Sequence, residues 1–411
     1  MWLFCYNLSM NFTELFGFTL DFILFALPII IPILLIWWLF NLWVSFAREK
    51  FLSEQEHTLL KIVPPRDVFK TPAAMELFLN SLFQTGGEST PIDRFWKGKS
   101  RPSFSLEIAS NEGKVNFYIW TRNDFAGYLQ SQIFAQYPGI DVQEVKDYVE
   151  DIDYESGDYE LFGVEYGLTE PDPVPIKTYV DYGLDKPSEE YEKVDPITAT
   201  IEFLGSLGKK EFGWVQILVK AHKKEDKDPR SWFGKTDLWK DDAKDLIKEI
   251  RNDSLVEFDT GEEKNKVPMA TKGQLNKIEA IERSVSKLPF DIGIRSVYVA
   301  EKDLFNPVNI GGLVGSFKQY GSLDLNGFKP SKTTSFDYFW EDVFGKKLKK
   351  SKKGMFKNFK NRAYFHLGKK KFILNSEELA TIFHFPGTVA GTPSLERVQS
   401  VKQEAPSDLP I

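Results

Sequence analysis

Between residues 346 and 371 the chain carries eleven lysines and Arg362 with no acidic residue, a local charge of +12. The run KKLKKSKKGMFKNFKNRAYF sets Lys346, Lys347, Lys349, Lys350, Lys352, Lys353, Lys357 and Lys360 among Phe356, Phe359, Tyr364 and Phe365. Closely spaced ammonium groups neutralise a phosphate backbone, and interleaved aromatics can stack bases. The same charge suits an anionic lipid surface, where each Lys near the headgroups contributes about 1 kcal/mol. A solvated linker helix would need neither partner. Guanidinium is scarce in this run, so bidentate phosphate recognition is weakly supplied.

Catalytic chemistry finds little support elsewhere. The nearest match to a phosphate loop is Pro229-Arg-Ser-Trp-Phe-Gly234-Lys235-Thr236. Pro229 replaces its first glycine, so a backbone donor and a permissive dihedral are lost. His57, His222, His366 and His384 have no ligand partner at helical spacing, so no metal motif forms. There is no GxSxG, and Cys5, the only cysteine, is poorly placed for a nucleophile and excludes a disulfide framework. Gly311-Gly312-Leu-Val-Gly315 lacks the strand–helix flanks of a dinucleotide loop and reads as a packing turn. Pairs such as Asp151/Asp153 lie in a generally acidic stretch, and a solvated face explains them. No catalytic, cofactor or metal residue is assigned, and a non-enzymatic protein is expected.

These residues must be held somewhere, and the chain supplies an anchor. Residues 22–47 (FILFALPIIIPILLIWWLFNLWVSFA) contain no charged side chain. As a helix the run would span roughly 39 Å, enough to cross a bilayer with some tilt. Only Glu14 and Asp21 precede it with charge, whereas Arg48 and Lys50 follow. The positive-inside tendency therefore puts the N-terminus outside and the body in the cytoplasm, at the inner membrane. Trp37, Trp38 and Trp43 fall where an aromatic belt would lie. Pro28 and Pro32, one turn apart, suit a kinked single anchor, with an oligomer contact as the alternative. A cleaved signal peptide would need a basic leader and a small-residue cleavage site, and neither is clear.

The body divides by pattern. Residues 48–103 read as a juxtamembrane helical linker, with an amphipathic helix over 48–62, a short strand at Leu59–Val63 and a helix from Asp67 to Phe83 that takes Pro72 in its first turn. Residues 104–196 form a first α/β module: strands at Phe104–Ala109 and Val115–Thr121 around an Asn111-Glu112-Gly113 turn, a helix N-capped by Asp124, then a strand at Asp141–Tyr148. The stretch 150–195 reads as an acidic insertion with short strands. Residues 197–330 form a second module: strands at Ile197–Leu204 and Trp214–Ala221, helices at Asp237–Ile250 and Thr271–Leu288, and a strand at Asp291–Val299. The expected fold class is α+β, one transmembrane helix followed by two ferredoxin-like units with insertions, a serial arrangement that an old duplication would produce. Residues 331–371 are the basic segment and 372–411 a tail. Residues 141–195 carry 18 acids against 4 lysines, so they and the basic segment are expected either to attract each other or to recruit different partners.

In combination, FSLEIASNEGKVNFYIWT, LQSQIFAQYPGIDVQEVKDY, YVAEKDLFNPVNIGGLVGSFKQYGSLDLNGFKP, FILNSEELATIFHFPG and TPSLERV are distinctive. Residues 55–411 resemble the membrane-attached region that precedes the motor domain in HerA/FtsK-like, type IV secretion-type (conjugative coupling-protein-like) ATPases of small-genome candidate bacterial phyla. In those proteins the ATPase begins after a segment like Glu404–Ile411. The resemblance implies a membrane component of a DNA- or protein-transport machine, with a hexameric P-loop ATPase either supplied in trans by a separate chain or lost by truncation. It transfers no catalytic residue. Self-association, DNA and anionic lipid are the other expected partners. Asn306–Tyr320 and Asn375–Val398 are either contact surfaces or packing, with packing the better reading.

Overall fold

A computed structural model of the chain describes residues 12–65, 70–88, 90–186, 194–224, 226–227, 235–259, 264–268, 270–335, 342, 345–365, 371–387, 395 and 397. The expectations placed on Cys5, His366, residues 229–234 and 398–411 lie outside these. The described residues divide into two compact units: residues 12–55 with 87–100, and residues 56–86 with those from 101 onward.

In the first unit, α1 (Phe12–Ser53) is one helix of 42 residues that runs through Pro28 and Pro32. Its side chains from Phe25 to Phe46 are mostly exposed, and it is long and apolar enough to cross a membrane. The helix does not stop at the first charges. Arg48–Ser53 contains no breaker, so α1 continues to Ser53, and the separate helix expected over 48–62 is corrected. Residues Ile92–Trp96 add a single π-helical turn to this unit.

The second unit opens with β1 (His57–Val63), α2 (Pro72–Ser81), β2 (Ser103–Asn111), β3 (Lys114–Arg122), α3 (Asn123–Gln136) and β4 (Asp141–Val145). It continues with β5 (Tyr159–Leu168), α4 (Pro196–Gly205) and β6 (Glu211–Ala221), then an insertion of β7 (Asp226–Lys227), β8 (Lys235–Thr236), α5 (Leu238–Asp253), β9 (Leu255–Asp259), β10 (Lys264–Pro268) and α6 (Lys272–Ser286). Last come β11 (Pro289–Glu301), α7 (Val308–Gly315), β12 (Phe328–Thr333), α8 (Lys346–Lys360), β13 (Phe372–Asn375) and α9 (Ser376–Ile382).

The main sheet runs β12-β5-β11-β6-β2-β3-β1-β4, with β13 paired to the start of β11, and its named pairings are antiparallel. Two βαββαβ runs build it. The first has strand order β4-β1-β3-β2, and the second, interrupted by the insertion, has β12-β5-β11-β6. Numbered within its own run, each reads 4-1-3-2. They join through their second strands, with Leu106 opposite Ile217. The tight β2–β3 turn needs two left-handed residues, met by Glu112 (φ 53°) and Gly113 (φ 83°).

Both faces of the sheet are covered. Phe104, Leu106 and Ile108 of β2 share one core with Phe78 of α2, Ile133 of α3, Ile201 of α4, Leu313 of α7 and Leu379 of α9. The opposite face carries Ala109, Trp214, Val297 and Val299 and packs under Met355 and Phe359 of α8. Burying one such side chain contributes roughly 1.5–3 kcal/mol.

Several expectations are corrected. Ile197–Leu204 is helix, not strand. Pro196 fills the first turn, and the Asp195 carboxylate accepts from the Ile197 N–H, so the cap outweighs the β-branched composition. The acidic stretch 150–195 holds a ten-residue core strand, β5. Asp124 is not the N-cap of α3; Arg122 occupies that position, and Asp124 lies in the first turn, where a negative charge suits the helix dipole. The Gly311–Gly315 turn is the helix α7, and packing explains its glycine. A Cβ on Gly312 would sit 2.3 Å from the Phe203 ring of α4.

Candidate functional site

The lysines singled out by the sequence lie on α8, a helix with two different sides. The Asp342 carboxylate caps its start, accepting from the Leu348 N–H at 2.7 Å. Met355 and Phe359, one turn apart, are buried on the sheet. Met355 lies over Gly163 of β5, where a Cβ would come within 2.5 Å of Met355 Cγ. Phe359 stacks on Trp214 at 5.4 Å, and Phe356 stacks on Tyr154 at 5.0 Å. Beyond the helix, Tyr364 covers Gly293 of β11 so closely that a Cβ there would meet its ring at 2.3 Å. Phe359 and Tyr364 are buried in this packing, so neither presents a free face on which a base could stack.

The outward side is cationic. Lys346, Lys347, Lys349, Lys350, Lys353, Lys357 and Lys360 are exposed, and Lys352 is half-buried. Part of this charge is answered by the acidic stretch. Lys352 pairs with Glu160, Lys353 with Glu155 at 3.7 Å and Lys360 with Glu150 at 3.6 Å. The mutual attraction expected of the two segments is thus realised, though exposed pairs of this kind are worth about 0–1 kcal/mol each. Among the described residues Lys346, Lys349, Lys350 and Lys357 make no ion pair.

Lys347 and Lys350 converge with Lys332 of β12 on a cleft of about 310 Å³ between helix and sheet. Ser351, Gly354 and Asn358 form its helix side, Met355 part of its floor, and Glu165 of β5 is its one carboxylate among the described residues. Three ammonium groups against one carboxylate, with hydroxyl and amide donors alongside, suit an oxyanion such as a phosphate. Lys332 lies outside the lysine run in sequence, and only the pairing of β12 with β5 brings it beside α8.

Arg362 behaves differently from the lysines and is corrected as a ligand contact. It is buried, and its guanidinium makes five hydrogen bonds, one for each N–H. Nε and Nη2 donate to the two Glu107 oxygens, both at 3.0 Å. Nη2 also reaches Asp147 Oδ1 at 3.1 Å, and Nη1 donates to Asp147 Oδ2 and to the Lys360 carbonyl at 2.8 Å. Ser105, Gln216 and the Tyr148 hydroxyl donate to the same Glu107 carboxylate at 2.7, 2.7 and 2.8 Å. Burial opposes ionisation of Glu107, but Arg362 outweighs it and holds the carboxyl below its usual range. Burial, then the neighbouring Glu107 charge, pushes the Tyr148 phenol well above its ordinary value. Arg295 lies in the same layer, donating to Gln216 Oε1 at 2.5 Å and to the Ala363 carbonyl at 3.1 Å. Burial lowers its guanidinium to about 10. The network is a clamp that fastens the end of α8 to the sheet.

Residues 46–397 match the family model described as Domain of unknown function (DUF8128). The chain belongs to the DUF8128 family. No curated protein matches it. The DUF8128 match opens within the last turns of α1 and takes in the whole sheet, α8 and the cleft. Of the anchor residues, Pro28 and Pro32 lie inside α1, and Trp37, Trp38 and Trp43 project outward from it. The three described histidines, His57, His222 and His384, each contact a neighbour within the fold. His57 stacks on Trp120 at 4.0 Å, His222 Nδ1 meets Asp291 at 2.7 Å, and His384 Nε2 meets Asp195 at 3.0 Å. Among the described residues no group of His, Cys, Asp and Glu is arranged to hold a metal. Asn306–Tyr320 and the described residues of Asn375–Val398 (375–387, 395 and 397) largely pack: Leu313, Phe317, Tyr320, Leu379 and Phe383 are buried.

Proposed function

We propose that the protein is a non-enzymatic, single-pass membrane component of a type IV secretion- or conjugation-like DNA or protein transport machine. Its body docks a separate hexameric P-loop ATPase. The observation that carries the membrane part is α1, which exposes apolar side chains from Phe25 to Phe46. The machine and its motor rest on the resemblance, whose motifs fall on β2–β3, α3–β4, β11–α7–β12 and β13–α9. The 4-1-3-2 order of each βαββαβ run supports two ferredoxin-like units. Arg48 and Lys50, after a flank without Lys or Arg, support an inner-membrane protein with the N-terminus outside and the body in the cytoplasm. Co-purification with a hexameric ATPase from native membranes tests the reading, and its absence under gentle extraction rejects it.

The lysine face favours a second reading, a membrane-tethered scaffold that binds nucleic acid. Lys346, Lys349, Lys350 and Lys357 leave α8 outward, and Lys332 extends the charge across the cleft. With Arg362 and the core aromatics occupied, such binding would be sequence-independent and steeply salt-dependent. DNA affinity that ignores salt would exclude it.

A further inference from the structure

Residues 87–100 belong to the compact unit of α1, and they lie close against that helix. The Phe95 ring lies 5.6 Å from Phe40, and the Trp96 ring 5.1 Å from Trp43. Gly98, at φ +64°, lets the chain touch the helix backbone; a Cβ there would lie 2.2 Å from the carbonyl carbon and oxygen of Ala47. Packing this tight ordinarily buries the apolar residues that make it. Here Ile92 is 63 % exposed, Phe95 37 % and Trp96 69 %, although all three sit on one turn of five residues. Their exposed surface continues that of Phe40 and Trp43 on α1.

The level of this turn identifies what covers it. Phe40 and Trp43 stand eight and five residues before Arg48, the first charged residue after the apolar run. At about 1.5 Å per residue they lie roughly 8–12 Å from it along the helix. That is the depth of the headgroup–acyl boundary, where Trp is favoured. Arg94, Lys97 and Lys99 surround the apolar tip, with Asp93 the one acid among them, paired to Lys97 at 3.6 Å and Lys99 at 3.3 Å.

We propose that residues 90–99 are a second membrane contact, a hook that inserts Ile92, Phe95 and Trp96 at the phospholipid interface beside α1. Arg94, Lys97 and Lys99 face the headgroup phosphates. The hook rests on α1 being a membrane helix. It fixes the rotation and depth of that helix, which a single apolar cylinder leaves free.

Because Cys5 is the only cysteine, Cys5→Ser gives a background for single nitroxide labels. The full chain is reconstituted in vesicles of phosphatidylcholine and phosphatidylglycerol. Labels are placed through Ile92→Cys, through Leu34→Cys in the apolar run and through Lys347→Cys on α8, and collision with oxygen and with a water-soluble nickel chelate is measured. The hook predicts that position 92 follows position 34, losing nickel collisions and keeping oxygen collisions relative to 347. Adding Gly98→Val, which unseats the turn, should restore nickel access at 92 alone. Nickel access at 92 equal to that at 347, with 34 still in lipid, overturns the hook and leaves the anchor standing. Protection of 92 from both reagents also overturns it, since a protein surface such as a second copy then covers the turn. Nickel access at 34 overturns the anchor reading and the hook with it.

Discussion

Arg362 combines a backbone cost with a side-chain gain. It follows α8 in the left-handed region, φ +49°, where glycine is favoured. The helix ends there as a Schellman motif, with the Arg362 N–H donating to the Phe359 carbonyl at 3.1 Å and the Ala363 N–H to that of Asn358 at 2.9 Å. A non-glycine residue in this conformation costs roughly 1–2 kcal/mol. The guanidinium offsets that cost through Glu107 and Asp147. Arg362→Ala should destabilise the protein by about 3–5 kcal/mol, because Glu107 is left buried and unpaired. Arg362→Gly should be milder by about 1 kcal/mol, because the strain is relieved. Urea unfolding of the two variants checks both, and equal losses would mean the backbone is unstrained. The His384–Asp195 pair is read through pH. Burial opposes the imidazolium, but Asp195 more than offsets it and holds His384 above the usual histidine range. Burial likewise opposes the Asp195 charge, and His384 outweighs it, so the carboxyl titrates below its usual range. The raised histidine contributes stability that is full below its unfolded value of about 6.5 and lost as pH rises through the folded one. The lowered carboxyl contributes above about pH 4 and loses it as pH falls through its folded value. The stability difference between the protein and His384→Gln should therefore be largest between about pH 4 and 6.5 and shrink on either side. A difference that is constant with pH would contradict the pairing. Neither pair is visible in the sequence. Glu107 alternates with Leu106 and Ile108, which ordinarily marks a solvent face, and nothing local says that α8 covers it.

At the scale of elements, the sheet makes room for α8 with two glycines in mid-strand. Gly163 and Gly293 take Met355 and Tyr364 at distances no Cβ allows. Gly293→Ala should push Tyr364 off β11 and cost about 1–3 kcal/mol, measurable by thermal unfolding. Ordinary stability would mean that the segment after α8 is not seated there. The outward face makes an opposite prediction. Replacing Lys346, Lys349, Lys350 and Lys357 with Gln should leave stability within about 0.5 kcal/mol. If DNA binds this face, the same variant should flatten the slope of log affinity against log salt by about 0.9 for each phosphate no longer neutralised. An unchanged slope rejects the nucleic-acid reading. Elements with a strong local signature were legible: β2 and β3 through alternation around a tight turn, and α6 through Leu275, Ile278, Ile281 and Val285 recurring on one side. α4 was misread because Ile197, Thr198, Thr200 and Ile201 favour strands and only the Asp195-Pro196 start says otherwise. β5 was missed because its glycines and acids look like loop until α8 is seen to lie on them. The lysine run was legible as charge, but its division into an outward face and an inward clamp depends on long-range packing.

For the whole molecule, one exposed apolar helix and one continuous antiparallel sheet are the two structural commitments. The two 4-1-3-2 runs meet at β2 and β6 and give a single body carrying a cationic helix on one face. That architecture suits a tethered docking part, and the resemblance names the motor it would serve. The most direct measurement is a mild-detergent pull-down of the tagged full-length chain from native membranes, with stoichiometry read by quantitative mass spectrometry. The account predicts a P-loop ATPase retained in fixed proportion, consistent with a hexamer. Recovery of the chain alone, or with nucleic acid that high salt strips away and no ATPase, would contradict it.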